Sequence, residues 1–320
     1  MITVMQPIDG ENRIFSTPPA RQSVYSEYMD AHLGKYVNPL TDFGFKKLFG
    51  EEPNKDILIA FLNEVLPEHH TIKDLTYAKS ERLGHTAVDR KAIFDLYCIA
   101  ENGERFVVEL QKAKQNYFKD RSLFYASFPI QEQAQRGEWS FELQAVYTIG
   151  ILDFVFDEHR DQKDFYHLVE LKDQRNRVFS EKLKFIYVEL PKFTKTADEL
   201  TTDFDRWLYV FRHLAELNDR PEQLRNRIFE KLFEVARITN FSPVEKEAYE
   251  ESLKYYRDIK NVVDTAHEEG REEGREEGRE EGSQQRARSI AQRMKAAGVS
   301  SAEIADFTGL TEAQINDLET

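Results

Sequence analysis

The chain has 320 residues, a single cysteine (Cys98) and a formal net charge of −14, with 40% hydrophobic and 12% aromatic residues. That length suits one sizeable domain with additions, and 23 Phe and 14 Tyr supply enough apolar surface to exclude global disorder. One cysteine excludes an intramolecular disulfide and a cysteine-cluster zinc site; no uncharged stretch approaches the roughly 20 residues that cross a bilayer and Met1 to Arg13 lacks a signal-type apolar run, so a cytoplasmic protein with no membrane partner is expected.

Residues 1–35 hold Pro7, Pro18 and Pro19 and show no sustained period, which predicts an irregular lead-in. A core domain is expected over 36–200. It opens with a helix from about Asp42, with Phe45, Leu48 and Phe49 on one face and Thr41 or Asp42 as cap, and a second helix over Lys55 to Leu66. Strands are predicted at Ile72 to Lys79, Ala92 to Ala100 and Arg105 to Lys112, the last two joined by Glu101-Asn102-Gly103-Glu104, where Asn-Gly signals a hairpin. A long helix fits Tyr117 to Arg136, and further strands fit Leu143 to Leu152, Tyr166 to Leu171 and Lys184 to Leu190. From Thr202 to Lys260 the pattern turns helical, so a helical extension is expected over 201–266. The fold class is therefore mixed α/β, or α+β, a sheet flanked by helices.

Two carboxylates interrupt otherwise apolar strands: Asp95 in Ile93-Phe94-Asp95-Leu96-Tyr97 and Glu109 in Phe106-Val107-Val108-Glu109-Leu110-Gln111. Burying a carboxylate is costly unless it is paired or ligates a metal, and two on neighbouring strands repel. A divalent cation such as Mg²⁺, which takes oxygen ligands from one or two carboxylates, resolves that cost. The alternative is a structural pair or an outward-facing edge strand. Strand parity separates the readings. A two-residue turn at Asn102-Gly103 would set Asp95 opposite Leu110 and put the carboxylates on opposite faces. A shared metal requires an odd loop or a bulge; pairing Glu101 with Arg105 would set Asp95 opposite Gln111, with Glu109 diagonal on the same side. His69-His70 reads as an exposed turn, and no Walker loop, dinucleotide fingerprint or nucleophile elbow is present.

Asp95, a hairpin, then Glu109-x-Gln111 resembles the motif of PD-(D/E)XK nucleases, in the recombination-promoting nuclease and transposase branch where Gln replaces the usual Lys. Also similar are Asn38 to Gly50, Asp89-Arg90-Lys91, Glu189-Leu190-Pro191-Lys192-Phe193 and Asp205-Arg206-Trp207, so that the likeness covers roughly residues 36–215. The resemblance implies a restriction-endonuclease-like sheet and a metal-dependent DNA endonuclease linked to recombination or mobile elements. Asp95 and Glu109 would ligate Mg²⁺ or Mn²⁺, Asp42 would be the acidic residue of the preceding helix, and Gln111 would take the lysine position. Asp42 as a simple helix cap and Gln111 as a solvent-facing strand residue are the competing readings. Gln can orient a water or a phosphate oxygen but cannot carry a lysine's charge. Strand alternation points Lys112 away from Gln111, so Lys114 is the expected substitute. The other reading is a catalytically silent DNA-binding or assembly protein that keeps the nuclease fold. Tyr117, Arg121 and Tyr125, at helical spacing, either line the cleft or form a core-and-rim face. The acidic balance makes any DNA contact local.

The repeat Glu-Glu-Gly-Arg puts −5 of the −14 between Glu268 and Glu281, with i,i+3 Glu/Arg pairs that favour an exposed helix and glycines that weaken it; a spacer is expected over 267–283. Residues 284–320 predict a small helix-turn-helix-like tail with an Ile304, Ala305, Leu310, Ile315 seam. Its last helix carries Glu312, Asp317 and Glu319 and no base, which favours protein contact or homo-oligomer formation over reading DNA.

Overall fold

The computed structural model describes residues 34–67, 71–79, 81–82, 92–134 and 137–318. The lead-in up to residue 33, the His69-His70 turn and Asp89-Arg90-Lys91 lie outside the described residues. The described chain falls into two compact units divided between Arg257 and Asp258.

In the first unit, helix α1 (Asp42–Phe49) buries Phe45, Leu48 and Phe49, and it is Thr41, not Asp42, that caps it by accepting the Gly44 N–H. Gly44 is required: a Cβ there would lie 2.0 Å from the Asn38 carbonyl oxygen. Helix α2 (Lys55–Val65) buries Ile57, Leu58, Phe61, Leu62 and Val65. The strands are β1 (Leu75–Tyr77), β2 (Glu81–Arg82), β3 (Ala92–Ile93), β4 (Leu96–Ala100) and β5 (Arg105–Gln111), so the run predicted as one strand over 92–100 is broken at Phe94-Asp95. Helix α3 (Phe118–Gln131) then leads to β6 (Val146–Leu152), β7 (Tyr166–Lys172) and β8 (Val178–Glu189).

These strands form a six-stranded sheet in the order β1-β4-β5-β6-β8-β7, with β2 and β3 pairing separately. β5, β6 and β8 run parallel at its centre, and the flanking strands are antiparallel. Both faces of the centre are covered, which is why β6 is buried along its whole length and β5 after its first residue. On one face Phe106, Val108, Leu110, Ile149, Ile151 and Ile186 join the main core with α1 and α2. On the other, Phe118 and Ala126 of α3 pack on Leu152, Phe185 and Tyr187.

The helices after residue 200, α4 (Asp203–His213) and α5 (Arg227–Ala236), share the main core rather than forming a separate layer: Phe49 stacks on Phe211 at 5.4 Å, and Trp207 packs on Phe229 at 4.8 Å between ring centroids. Asp205, 4% exposed, anchors the start of α4. Its carboxylate accepts from Lys195 Nζ at 2.7 Å and from the Thr201 and Thr202 N–H groups.

Helix α6 (Pro243–Ala296) gives Tyr249, Leu253 and Tyr256 to the first unit's core. In the second unit, the Glu-Glu-Gly-Arg repeat is helical and exposed. Helices α7 (Ser301–Thr308) and α8 (Glu312–Asn316) begin on capping boxes, Ser300 with Glu303 and Thr311 with Gln314, and Gly309 ends α7 at φ 73°. Ala291, Ile304, Leu310 and Ile315 are the buried seam, and Lys295 Nζ donates to the Ile315, Asn316 and Leu318 carbonyls at the end of α8.

Candidate active site

The β4–β5 hairpin closes on a three-residue loop. Ala100 N–H donates to Glu104 O and Gly103 N–H donates to Ala100 O, both at 2.9 Å, with Gly103 at φ 84°. The resulting register pairs Leu96 with Val108 and Ile99 with Arg105. Extended one step past the end of β4, the register would bring Asp95 level with Glu109. The loop is odd, as a shared site requires, but the register differs by two residues from the expected pairing of Asp95 with Gln111, because Ala100 and Glu104 rather than Glu101 and Arg105 close the turn.

Asp95 sits where β4 is interrupted, and its Oδ2 accepts the Leu110 N–H at 2.7 Å in place of a ladder bond. Glu109 is 7% exposed, and its Oε1 has no hydrogen-bond partner among the described residues. Burial, then the neighbouring Asp95 carboxylate, push its pKa well above the ordinary carboxylate range, against the opposing charge of Arg121. Burial also raises that of Asp95, with Asp42 adding to the effect and the Leu110 N–H opposing it.

Gln111 is buried on the same strand, and its Nε2 lies 3.5 Å from Glu109 Oε2, so it is not a solvent-facing strand residue. Arg121 of α3 lies over the Phe118 and Tyr125 rings and supplies positive charge to Glu109. Tyr125 packs edge-on against Phe94, whereas Tyr117 is exposed, so this helix face is mainly core and rim.

Asp95 opens onto a cleft of about 810 Å³, lined also by Asp42, Lys46, Lys47, Glu51, Lys112 and Tyr255; Glu109 and Gln111 are not in its lining. Asp42 is exposed at the cleft wall and pairs with Lys46 at 2.9 Å. Lys47 is held by Glu245 at 2.6 Å and Glu51 at 3.0 Å. Lys112 makes no ion pair among the described residues, and its Nζ lies 5.2 Å from the Tyr255 ring centroid. Burial pushes its ammonium below the usual lysine range, and Asp42 and Asp95 pull the other way.

Lys112 lines the cleft and Gln111 does not, as alternation along β5 expects. β5 ends at Gln111, the chain bends at Lys112, and Lys112 turns into the cleft while Lys114 forms an exposed ion pair with Asp157. The expected substitute Lys114 is thus engaged by Asp157, and of the two lysines it is Lys112 whose charge acts on Asp95.

A parallel-centred sheet with one carboxylate on β5 and a second at the break just before β4 agrees with a family comparison. The model of the PD-(D/E)XK nuclease family transposase matches residues 39–266. The chain belongs to the PD-(D/E)XK nuclease family transposases. That match runs from the segment before α1, through the sheet, to the middle of α6, and the mixed sheet flanked by helices is the restriction-endonuclease-like fold of this family. Membership makes a nuclease- or transposase-related function the coarse assignment. Among curated proteins and solved structures, none matches the chain. No helix among the described residues is long and apolar enough to cross a membrane.

Proposed function

We propose that the protein is a metal-dependent DNA endonuclease that hydrolyses phosphodiester bonds in the cleft at Asp95. The observation that carries this reading is the neighbouring pair of carboxylates, half-buried Asp95 just before β4 and buried Glu109 on β5, with Glu109 Oε1 lacking a hydrogen-bond partner among the described residues. A buried, unsatisfied carboxylate oxygen beside a second carboxylate is expensive in a metal-free protein and fits a divalent cation. Asp95 and Glu109 would hold Mg²⁺ or Mn²⁺. Such a cation, when bound, polarises a phosphate oxygen and lowers the pKa of bound water.

The chain's own groups divide the remaining work. Asp95 is fixed by the Leu110 N–H, so its carboxylate does not have to be ordered when substrate arrives. The Gln111 amide adjoins Glu109 and orients it. Lys112 supplies the positive charge that Gln111 lacks, from the residue next along the chain. The charged lining of the cleft is Asp42, Glu51, Asp95 and Glu251 against Lys46, Lys47 and Lys112. That balance repels phosphate until a divalent ion reverses it, which makes DNA affinity metal-dependent.

Nicking of supercoiled plasmid with Mg²⁺ or Mn²⁺, by the wild type and by Asp95→Asn and Glu109→Gln, tests the proposal. Cleavage by the wild type alone supports it, and equal cleavage by all three overturns it. The reading as a silent DNA-binding or assembly protein draws on Gln111 in the lysine position. It predicts metal-dependent DNA retention with no nicking by any form.

A further inference from the structure

A second cluster of ligand-type side chains lies outside this site. His159 ends the short helical turn Asp157–His159, His167 is on the edge strand β7, and Glu189 is the last residue of β8. His159 Nδ1 is 3.0 Å from Glu189 Oε1, His167 Nε2 is 3.2 Å from Glu189 Oε2, and the two imidazoles stack at 4.0 Å between centroids. One donor atom from each of the three residues lies within 4.8 Å of the others. Glu189 is fully buried, and the two histidines line a cavity of about 580 Å³ with Phe156, Tyr166 and Tyr187.

We propose that His159, His167 and Glu189 form a binding site for a Zn²⁺-type cation, separate from the carboxylate pair. Two imidazoles and a carboxylate are the donor set that selects a borderline ion over Mg²⁺, which prefers oxygen. Tetrahedral bonds of about 2.0–2.1 Å put neighbouring ligand atoms roughly 3.3 Å apart, close to the two N···O separations here. The carboxylate is already oriented, because Phe156 N–H donates to Oε1 at 2.8 Å and Lys192 Nζ meets Oε2 at 2.7 Å. The cavity leaves room for a water or a ligand atom at the fourth position.

The sheet register keeps the two sites apart. Glu109 pairs with Gly150, Gly150 with Tyr187, and Tyr187 with His167. That is three strand spacings, about 14 Å, where paired catalytic metals sit about 4 Å apart. Binding exchanges two N–H···O hydrogen bonds for metal bonds: His159 Nδ1 and His167 Nε2 present lone pairs, and the ring protons reside on His159 Nε2 and His167 Nδ1.

The same contacts would also serve a carboxylate that is merely buried among donors, so the test uses Gln, which still donates to Glu189 but lacks imidazole. Full-length protein is titrated with Co²⁺ in excess Mg²⁺, reading the visible ligand-field bands, and its thermal midpoint is compared with and without Zn²⁺. The wild type and Asp95→Asn should take up one equivalent with intense tetrahedral bands and a Zn²⁺-dependent rise in midpoint. His159→Gln and His167→Gln should bind at least tenfold more weakly and lose the Zn²⁺ shift while keeping the metal-free midpoint. Absent bands in the wild type, or bands of equal strength in the histidine variants, would overturn the proposal. So would a metal-free midpoint that falls in those variants together with an unchanged Zn²⁺ shift.

Discussion

Asp95 is tied to the strand that carries Glu109: its Oδ2 accepts the N–H of Leu110, the residue next to Glu109, at 2.7 Å. Asp95 therefore puts a side-chain bond in place of a ladder bond at the break before β4. Geometry is fixed by the fold, while charge repulsion is left unresolved.

Glu109→Gln and Asp95→Asn should each reduce metal-dependent cleavage at least about a thousandfold, the loss of several kcal/mol of transition-state stabilisation. Folding should survive both. Folded Glu109 keeps its proton to a pH above its ordinary 4.5, so the folded state binds more protons than the unfolded one in the window above 4.5. Its contribution is intact below that value and is lost as pH rises through the raised folded pKa. Metal-free Glu109→Gln should thus be more stable than the wild type near about pH 8 and gain nothing near about pH 4. Urea denaturation at the two pH values checks this, and a parallel pH profile for both proteins contradicts it.

Lys112→Met should lower the cleavage rate about a hundredfold, the typical effect of removing one electrostatic stabiliser. Lys114→Met should leave it within about fivefold, because an exposed ion pair is worth at most about 1 kcal/mol. Single-turnover kinetics at saturating metal separates the two lysines, and the reverse ranking would return the role to Lys114.

Asp205→Asn should cost about 2 kcal/mol at neutral pH. Asp205 is buried, which alone would raise its pKa, but Lys195 and the Thr201 and Thr202 N–H groups hold it down to about 2 from 3.8. A depressed folded pKa stabilises above 3.8, and that stability disappears as pH falls towards 2. The gap between wild type and variant should therefore close in acid; a gap that persists at about pH 2 would assign the effect to packing.

Replacing Gly270, Gly274, Gly278 and Gly282 together with Ala should strengthen the helix through the repeat by about 1 kcal/mol per site. A Cβ at each position meets nothing within 4 Å. Amide exchange in that segment should slow. Unchanged exchange would mean that the glycines do not limit helix stability there.

Much of the first unit was legible from period and punctuation. α1, α2, the β4–β5 hairpin and β6 sit within a few residues of their predicted bounds, because each has a strong apolar pattern and a marked end. The twelve-residue β8 was read as seven because its first half, Val178 to Leu183, is exposed or half-buried and carries no alternation to read. For the candidate site, Asp95 and Glu109 stood out as charges inside apolar runs, and parity gave the odd loop. The two-residue error in register arose because the closing pair depends on which carbonyl Gly103 meets, which residue types do not specify. Lys114, the expected substitute, instead pairs with Asp157, 43 residues on, a contact that strand spacing does not show. His159 and His167 carried no signal, since eight residues across a turn and a strand converge only when β7 folds onto β8.

Asn38 N–H donates to Tyr249 Oη at 2.9 Å and Phe43 N–H donates to Ser252 Oγ at 3.1 Å, across 211 and 209 residues of chain. These bonds tie the segment bearing Asp42 to α6, one of the last parts of the unit to be made. At about 5–20 residues per second, a ribosome needs at least about ten seconds between the two. The Asp42 wall of the cleft is therefore completed after synthesis of the sheet, and the growing chain carries Asp95 before it has the α6 residues Glu251, Ser252 and Tyr255 that line the cleft with it. Until α6 is made, the cleft lacks one of its walls.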